Sequence, residues 1–272
     1  MKLKLPNWGS LCNPNLLMNC DYRSGIINQK GITSLDKSDG STELGIDGWI
    51  LYGINIAVGS NYVTFANRTS ANHTVQQELN IKSLKAGDKV TFYASCFNIT
   101  GNVYVYMTGL DTQKKKLSNG DNEFTLTLTS ALEKFYIELE PNAVVSFNCK
   151  KLEIGEHFTG MPAWNEAEEL LKCMYLFEKK VINVMCSQFG ATTCYANIPY
   201  SIPKIKTPSI TGKCTWIGSN TGEGIGETKI TKLEATAIQK KYVDIKVTHE
   251  SANFGQYSRN VFVELYIDAY NY

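Results

Sequence analysis

The sequence predicts an all-β protein, two antiparallel β-sandwich domains of jelly-roll-like form joined by one amphipathic connector helix. Three observations lead there. Apolar and polar residues alternate with period 2 through most of the chain, Gly, Asn, Asp or Pro punctuates most of the gaps, and a single convincing stretch shows apolar residues at helical spacing.

In the first domain the alternating segments are Tyr62 to Ala66, Val75 to Ile81, Lys89 to Phe97, Val103 to Met107, Asn122 to Thr129, Glu133 to Glu140 and Val144 to Ile154. In Glu123 to Thr129 the apolar set is Phe124, Leu126 and Leu128 and the other face is Thr-rich, so one face is core and the other is wet. Leu84 to Val90, LKAGDKV, reads as a tight turn into a central strand. The helical stretch follows. Asn165 is placed to cap it, Glu166, Glu168 and Glu169 crowd its first turn, and Lys179 and Lys180 follow its last, the charge order a helix dipole favours. Ala167, Leu170, Leu171, Met174 and Phe177 form the expected apolar stripe, giving a helix over Asn165 to Glu178.

Beyond the helix, Val181 to Phe189 and Thr192 to Tyr200 are expected to be strands joined by a tight turn at Gly190-Ala191. Pro199, Pro203 and Pro208 make an extended crossing. Three further strands are expected at Lys229 to Ile238, Tyr242 to His249 and Asn260 to Tyr270. The domain reading is therefore an N-terminal arm over 1–14, a jelly roll over 15–155, a linker and connector helix over 156–180, and a C-terminal sandwich over 181–272.

Composition narrows the function. The chain of 272 residues has a formal net charge of +1 and no basic stripe, which argues against nucleic acid as a partner. Lys114 to Lys116 reads as a solvated hairpin tip. No apolar run is long enough to insert in a bilayer, and MKLKLPNWGS lacks the apolar core of a signal peptide, so synthesis in the cytoplasm is expected. Eight cysteines without a CxxC pair fit free thiols better than a disulfide framework or a zinc site. His73, His157 and His249 share no ligand spacing, and GxSxG, HExxH, Walker and EF-hand patterns are missing, so neither a metal, a cofactor nor a catalytic residue is assigned. Gly222 to Gly226 contains GxGxG but no helix follows to present its dipole to phosphate.

Aromatic placement is the positive signal. Tyr104 and Tyr106 share one face of their strand opposite Val103, Val105 and Met107, and Asp47, Trp49 and Tyr52 cluster after a Gly/Asp/Ser-rich loop. A sugar ring offers apolar C–H faces rimmed by hydroxyls, which an aromatic ring beside an Asp matches, so these five residues are the candidate glycan ligands; core packing is the competing reading for Trp49 and for both strand tyrosines.

Several short motifs occur in a definite order: Asn15-Leu16-Leu17, Asn19 and Asp21, then Asn28-Gln29-Lys30-Gly31, then Ile46-Asp47-Gly48-Trp49, and finally Lys151-Leu152-Glu153-Ile154-Gly155 and Glu168 to Phe177. Their succession over about 160 residues resembles a module of phage tail-fibre and receptor-binding proteins, where the pattern runs NLL-N-(D/S)-F, NQRG, DRW, KLELG and EELxLCxRYF. Lys30 and Gly48 stand where that pattern has arginines, so no role of those arginines carries over. The resemblance implies a protein of the virion tail, or of a phage-tail-like particle, that attaches to bacterial cell-surface glycans alongside other tail proteins. A tail-associated glycan depolymerase and a purely structural tail or decoration subunit are the alternatives. Threefold assembly is implied too. The last strand supplies a candidate interface in Phe262, Tyr266 and Tyr270, interleaved with Glu264 and Asp268 on the face opposite Val261, Val263, Leu265 and Ile267.

Overall fold

The computed structural model describes residues 12–79, 84–108, 113–188, 192–219, 230–249 and 259–269. The chain divides into two compact units, Met1–Glu169 and Leu170–Tyr272.

Among the described residues, twelve strands build the first unit: β1 (Ser34–Leu35), β2 (Thr42–Leu44), β3 (Ile50–Tyr52), β4 (Ile54–Val58), β5 (Val63–Asn67), β6 (His73–Glu78), β7 (Lys89–Thr100), β8 (Val103–Met107), β9 (Lys115–Lys116), β10 (Gly120–Thr127), β11 (Lys134–Leu139) and β12 (Val144–Ile154). They form two six-stranded sheets, in the orders β1-β4-β5-β12-β7-β10 and β2-β3-β6-β11-β8-β9. Neighbours pair antiparallel throughout. From β5 onward the chain crosses repeatedly between the sheets, which closes a jelly-roll-like sandwich rather than two separate meanders. The inward sets are the ones the alternation selects, Val90, Phe92, Ala94 and Cys96 on β7 and Val103, Val105 and Met107 on β8, and they join one buried cluster with Trp49, Phe65, Phe135 and Phe147.

One inward residue defies the alternation. In β12 the partners slip between Phe147, opposite Cys96, and Cys149, opposite Ser95. This β-bulge inverts the phase of the strand, so Lys150 pairs with inward Ala94 and Lys151 with outward Tyr93. Both lysines are fully buried. Lys150 lies in an aromatic cage, its ammonium 4.2 Å from the ring centroids of Tyr22 and of Trp49 and 4.9 Å from that of Phe147, and it donates a hydrogen bond to Tyr22 Oη. Burial pushes its ammonium down to about 8.

The helix is shorter than expected. α1 (Glu166–Met174) is capped by Asn165, whose Oδ1 accepts the backbone N–H groups of Ala167 and Glu168 at 3.1 and 3.3 Å. Its buried residue is Cys173, while Leu171 is half exposed. Phe177 therefore does not extend an apolar stripe: Leu176 N–H turns back to Cys173 O, and Phe177 opens a strand opposite Asp268. Backbone pairing to an existing sheet outweighs the helical spacing at this point.

The second unit contains β13 (Phe177–Gln188), β14 (Thr193–Pro199), β15 (Ser209–Ser219), β16 (Ile230–Ile238), β17 (Tyr242–His249) and β18 (Arg259–Asp268), in the order β15-β18-β13-β14-β17-β16. β13 pairs with β18 from Phe177 to Cys186 and meets β14 at Ser187 and Gln188. The sheet thus opens into two three-stranded layers around one core, in which Val261, Val263, Leu265 and Ile267 of β18 join Ile198, Val243, Ile245 and Val247. This is the second sandwich. At its end Glu178 and Lys204 form a buried ion pair at 2.6 Å, with Ser201 Oγ donating to the same carboxylate at 2.6 Å. The edge strand β15 was hidden in the sequence by the prolines before it. The expected turn at Gly190-Ala191 and the loop Gly222 to Gly226 lie outside the described residues.

Candidate functional site

The first sandwich has two outer faces, and among the described residues a strap of its own chain crosses one of them. Residues 155–160 strap across β10, β7 and β12: Phe158 stacks on Tyr93 at 3.8 Å, Thr91 Oγ1 and Thr125 Oγ1 donate to the carbonyls of Gly155 and Glu156, and Lys151 Nζ donates to Gly160 O at 2.6 Å. Beneath the strap Lys151 and Glu153 form a fully buried ion pair at 3.0 Å, and Thr159 closes it by donating from both its N–H and its Oγ1 to the Glu153 carboxylate. No ligand can reach that sheet there without lifting the strap.

The opposite sheet presents aromatic rings. Because β8 places Val103, Val105 and Met107 in the core, Tyr104 and Tyr106 point outward, half-buried. The register adds their neighbours: Tyr136 lies opposite Tyr106, Glu138 opposite Tyr104, and Gln76 opposite Tyr136. Tyr106 and Tyr136 stack with centroids 4.7 Å apart and planes within 10°. Gln76 Nε2 donates to Tyr52 Oη at 2.7 Å. From β3 to β8 the array crosses four strands, about 14 Å at ordinary strand spacing.

Glu138 anchors one end. It is 7% exposed, and Lys114 Nζ donates to both of its oxygens at 2.7 Å while lying 5.3 Å from the centroid of Tyr106. Asn72 Nδ2 reaches the same carboxylate at 3.4 Å. Burial, then the charge of Glu138 and then Tyr136 push the Tyr106 phenol up to about 12. Burial first and neighbouring glutamates second also raise the Tyr52 and Tyr136 phenols. All three hydroxyls therefore stay protonated at neutral pH and can both donate and accept. The face combines flat apolar rings with fixed polar groups.

The expected ligands divide accordingly. Tyr52, Tyr104 and Tyr106 meet on this face. Trp49 does not: it is fully buried, 6.4 Å from Phe65 and 6.2 Å from Phe135, because its place just before β3 directs the ring inward. Asp47 is also buried, and its Oδ2 accepts the Gln29 N–H at 2.8 Å, so it shapes the loop before β3 instead of meeting solvent. Tyr136, Gln76, Glu138 and Lys114 escaped the sequence reading. For Tyr136 the signal was present, since it occupies the wet phase of Glu133 to Glu140.

In the second unit Phe262 and Tyr266 take the outer face of β18, and Tyr270 lies outside the described residues. Tyr266 Oη donates to Glu264 Oε1 at 2.5 Å, and Lys179 and Lys213 each approach that carboxylate at 3.8 Å. Phe262 is 39% exposed and Val181 and Met185 on the adjacent β13 are each 61% exposed, which makes one apolar patch. Among the described residues no group of three or more His, Cys, Asp or Glu could hold a metal ion, and five cysteines, Cys12, Cys20, Cys96, Cys149 and Cys173, are free thiols.

No family model matches the chain, and neither does any curated protein. Among solved structures it resembles PfGH50B at 8% identity and a TM-score of 0.31, over 53% of this chain and 30% of that one. It also resembles discoidin II of Dictyostelium discoideum at 10% identity and a TM-score of 0.24, over 76% of this chain and 82% of that one. Likenesses this loose carry no argument about function, which rests on the chain's own residues.

Proposed function

We propose that the chain is a glycan-binding protein of the phage tail-fibre type, which attaches to bacterial cell-surface polysaccharide through the tyrosine face of its first unit. The observation that supports this most is the array of Tyr52, Tyr104, Tyr106 and Tyr136 on the sheet opposite the strap, with Gln76 and Glu138 set among the rings. Rings of this kind stack on the C–H faces of sugars, and planar amides and carboxylates take vicinal hydroxyls. The motif order described above supports the tail-fibre assignment, and with it synthesis in the bacterial cytoplasm, carriage on a virion tail or phage-tail-like particle, and contact with other tail proteins.

The same reading makes the protein a homotrimer, assembled through the outer face of β18 with Phe262 and Tyr266 at its centre. The patch formed with Val181 and Met185 supports that, since it offers apolar surface beside a neutralised carboxylate, the mixture partly wet interfaces use. Light scattering at several concentrations tests it, and a mass near the 30.4 kDa of one chain throughout would exclude assembly. Incubation with host polysaccharide tests the binding role: stable association without shortening of the polymer is expected, whereas progressive shortening would identify a depolymerase and failure to bind any host polysaccharide would leave a structural subunit.

A further inference from the structure

We infer that the second unit carries a separate small-ligand site, a depression on the outer face of β14, β16 and β17 that takes one neutral polyhydroxylated unit such as a single sugar ring. The depression measures about 270 Å³ and is lined by Tyr195, Ala196, Asn197, Thr236 and Asp244. Its geometry follows from two local features. Strand alternation sends Ile198 of β14 and Val243 and Ile245 of β17 into the core, so Tyr195, Asn197 and Asp244 point outward, with Asn197 directly opposite Asp244. In β16 the register slips between Ala235 and Ala237, and this bulge leaves Thr236 exposed at the rim, where its Oγ1 donates to Asp244 O at 3.2 Å.

The polar groups are fixed yet not exhausted. Asn197 Nδ2 donates to Asp244 Oδ1 at 2.6 Å, which orients both planar groups side by side. The amide keeps a second N–H and its carbonyl oxygen, and the carboxylate keeps acceptor capacity on its other oxygen. Two adjacent groups that donate and accept in one plane suit a vicinal diol, and the Tyr195 ring offers a flat apolar wall beside them.

Other ligand classes fit less well. Asp244 opposes an anion, and Glu234, opposite Lys246 in the register, adds a second negative charge nearby. A cation would compete with Lys246, which lies opposite Tyr195, and with Lys232, already paired to Glu234 at 2.6 Å. Calcium needs six to eight oxygen ligands, and the lining supplies one carboxylate. A neutral polyol remains.

Saturation-transfer NMR on the full chain with glucose, galactose, mannose and N-acetylglucosamine, each at about 10 mM to populate a millimolar site, tests the assignment. At least one sugar should give a signal in the wild type. Tyr104→Ala with Tyr106→Ala removes only what the first unit's face contributes, so a signal should remain in that variant. In the Tyr104→Ala/Tyr106→Ala background, Asn197→Ala combined with Asp244→Asn should weaken the remaining signal at least about tenfold, and Thr236→Arg, which fills the rim from an exposed position, should abolish it. Silence in the wild type overturns the site, and so does a signal that disappears with the tyrosines or, in their absence, survives both second-unit variants. Loss of polysaccharide binding in the tyrosine variant while the monosaccharide signal persists would keep the two sites distinct.

Discussion

Replacing Lys150 by Met is expected to stabilise the first unit. The side chain is fully buried with Tyr22 Oη as its hydrogen-bonded partner and, among the described residues, no carboxylate bound to it, and burial lowers its ammonium from an ordinary 10.5 to about 8. That difference corresponds to about 3 kcal/mol lost at pH values below 8, where the lysine must fold charged. The sign follows from linkage. Because the folded value lies below the unfolded one, the unfolded chain binds more protons between about 8 and 10.5, and stability due to this group rises with pH across that window. Lys150→Met removes the burden at every pH, so its advantage over wild type should be largest at pH 7 and shrink by about 2 kcal/mol by pH 9.5. Cys20 and Cys96, whose thiols burial raises to about 12, oppose this trend above pH 9 in both proteins, so the difference between the two proteins is the quantity to read. Urea unfolding followed by tryptophan fluorescence at pH 7, 8, 9 and 9.5 supplies it. A difference that stays constant with pH would show that the rings of Tyr22, Trp49 and Phe147 hold the ammonium charged throughout, and would refute the reasoning.

Two further perturbations probe buried charge. Burial raises the Asp47 carboxyl from 3.8 to about 7, so its contribution to stability is fully present below pH 4 and is lost as pH rises to 7; Asp47→Asn should remove that slope and raise the urea midpoint at pH 7. Lys204→Met removes the shorter ammonium contact of buried Glu178, leaving it Ser201 and Lys180 at 3.7 Å, and should destabilise the second unit by up to about 3 kcal/mol, read as a lower melting temperature, with no change indicating that Lys180 replaces the lost ammonium.

Much of the sandwich was legible because alternation reports which face is dry. Val103 to Met107 and Tyr242 to His249 begin and end as strands where the pattern does, and β18 buries the four residues the pattern selects. Three kinds of feature were not legible. β1, β2, β3 and β9 span two or three residues each, too few to show a period. The burial of Lys150 and Lys151 could not be read, because nothing in the sequence around Asn148 announces the bulge that turns one into the core, nor the strap that covers the other. Phe177 satisfied a helical spacing while belonging to a strand, since the pairing with Asp268 that decides it comes from residues far along the chain. At the candidate site the sequence could pair Tyr104 with Tyr106, but their meeting with Tyr52, Tyr136 and Glu138 depends on cross-strand register.

The central claim is that the tyrosine face binds glycan, and calorimetric titration of a host polysaccharide into wild type and into Tyr104→Ala/Tyr106→Ala tests it most directly. Each ring is half-buried on an outer face, so the double variant should keep its fold, seen as an unchanged circular dichroism spectrum. Its affinity should fall at least about tenfold, the loss expected when aromatic contacts with the ligand are removed. Undiminished binding by a folded double variant would contradict the account.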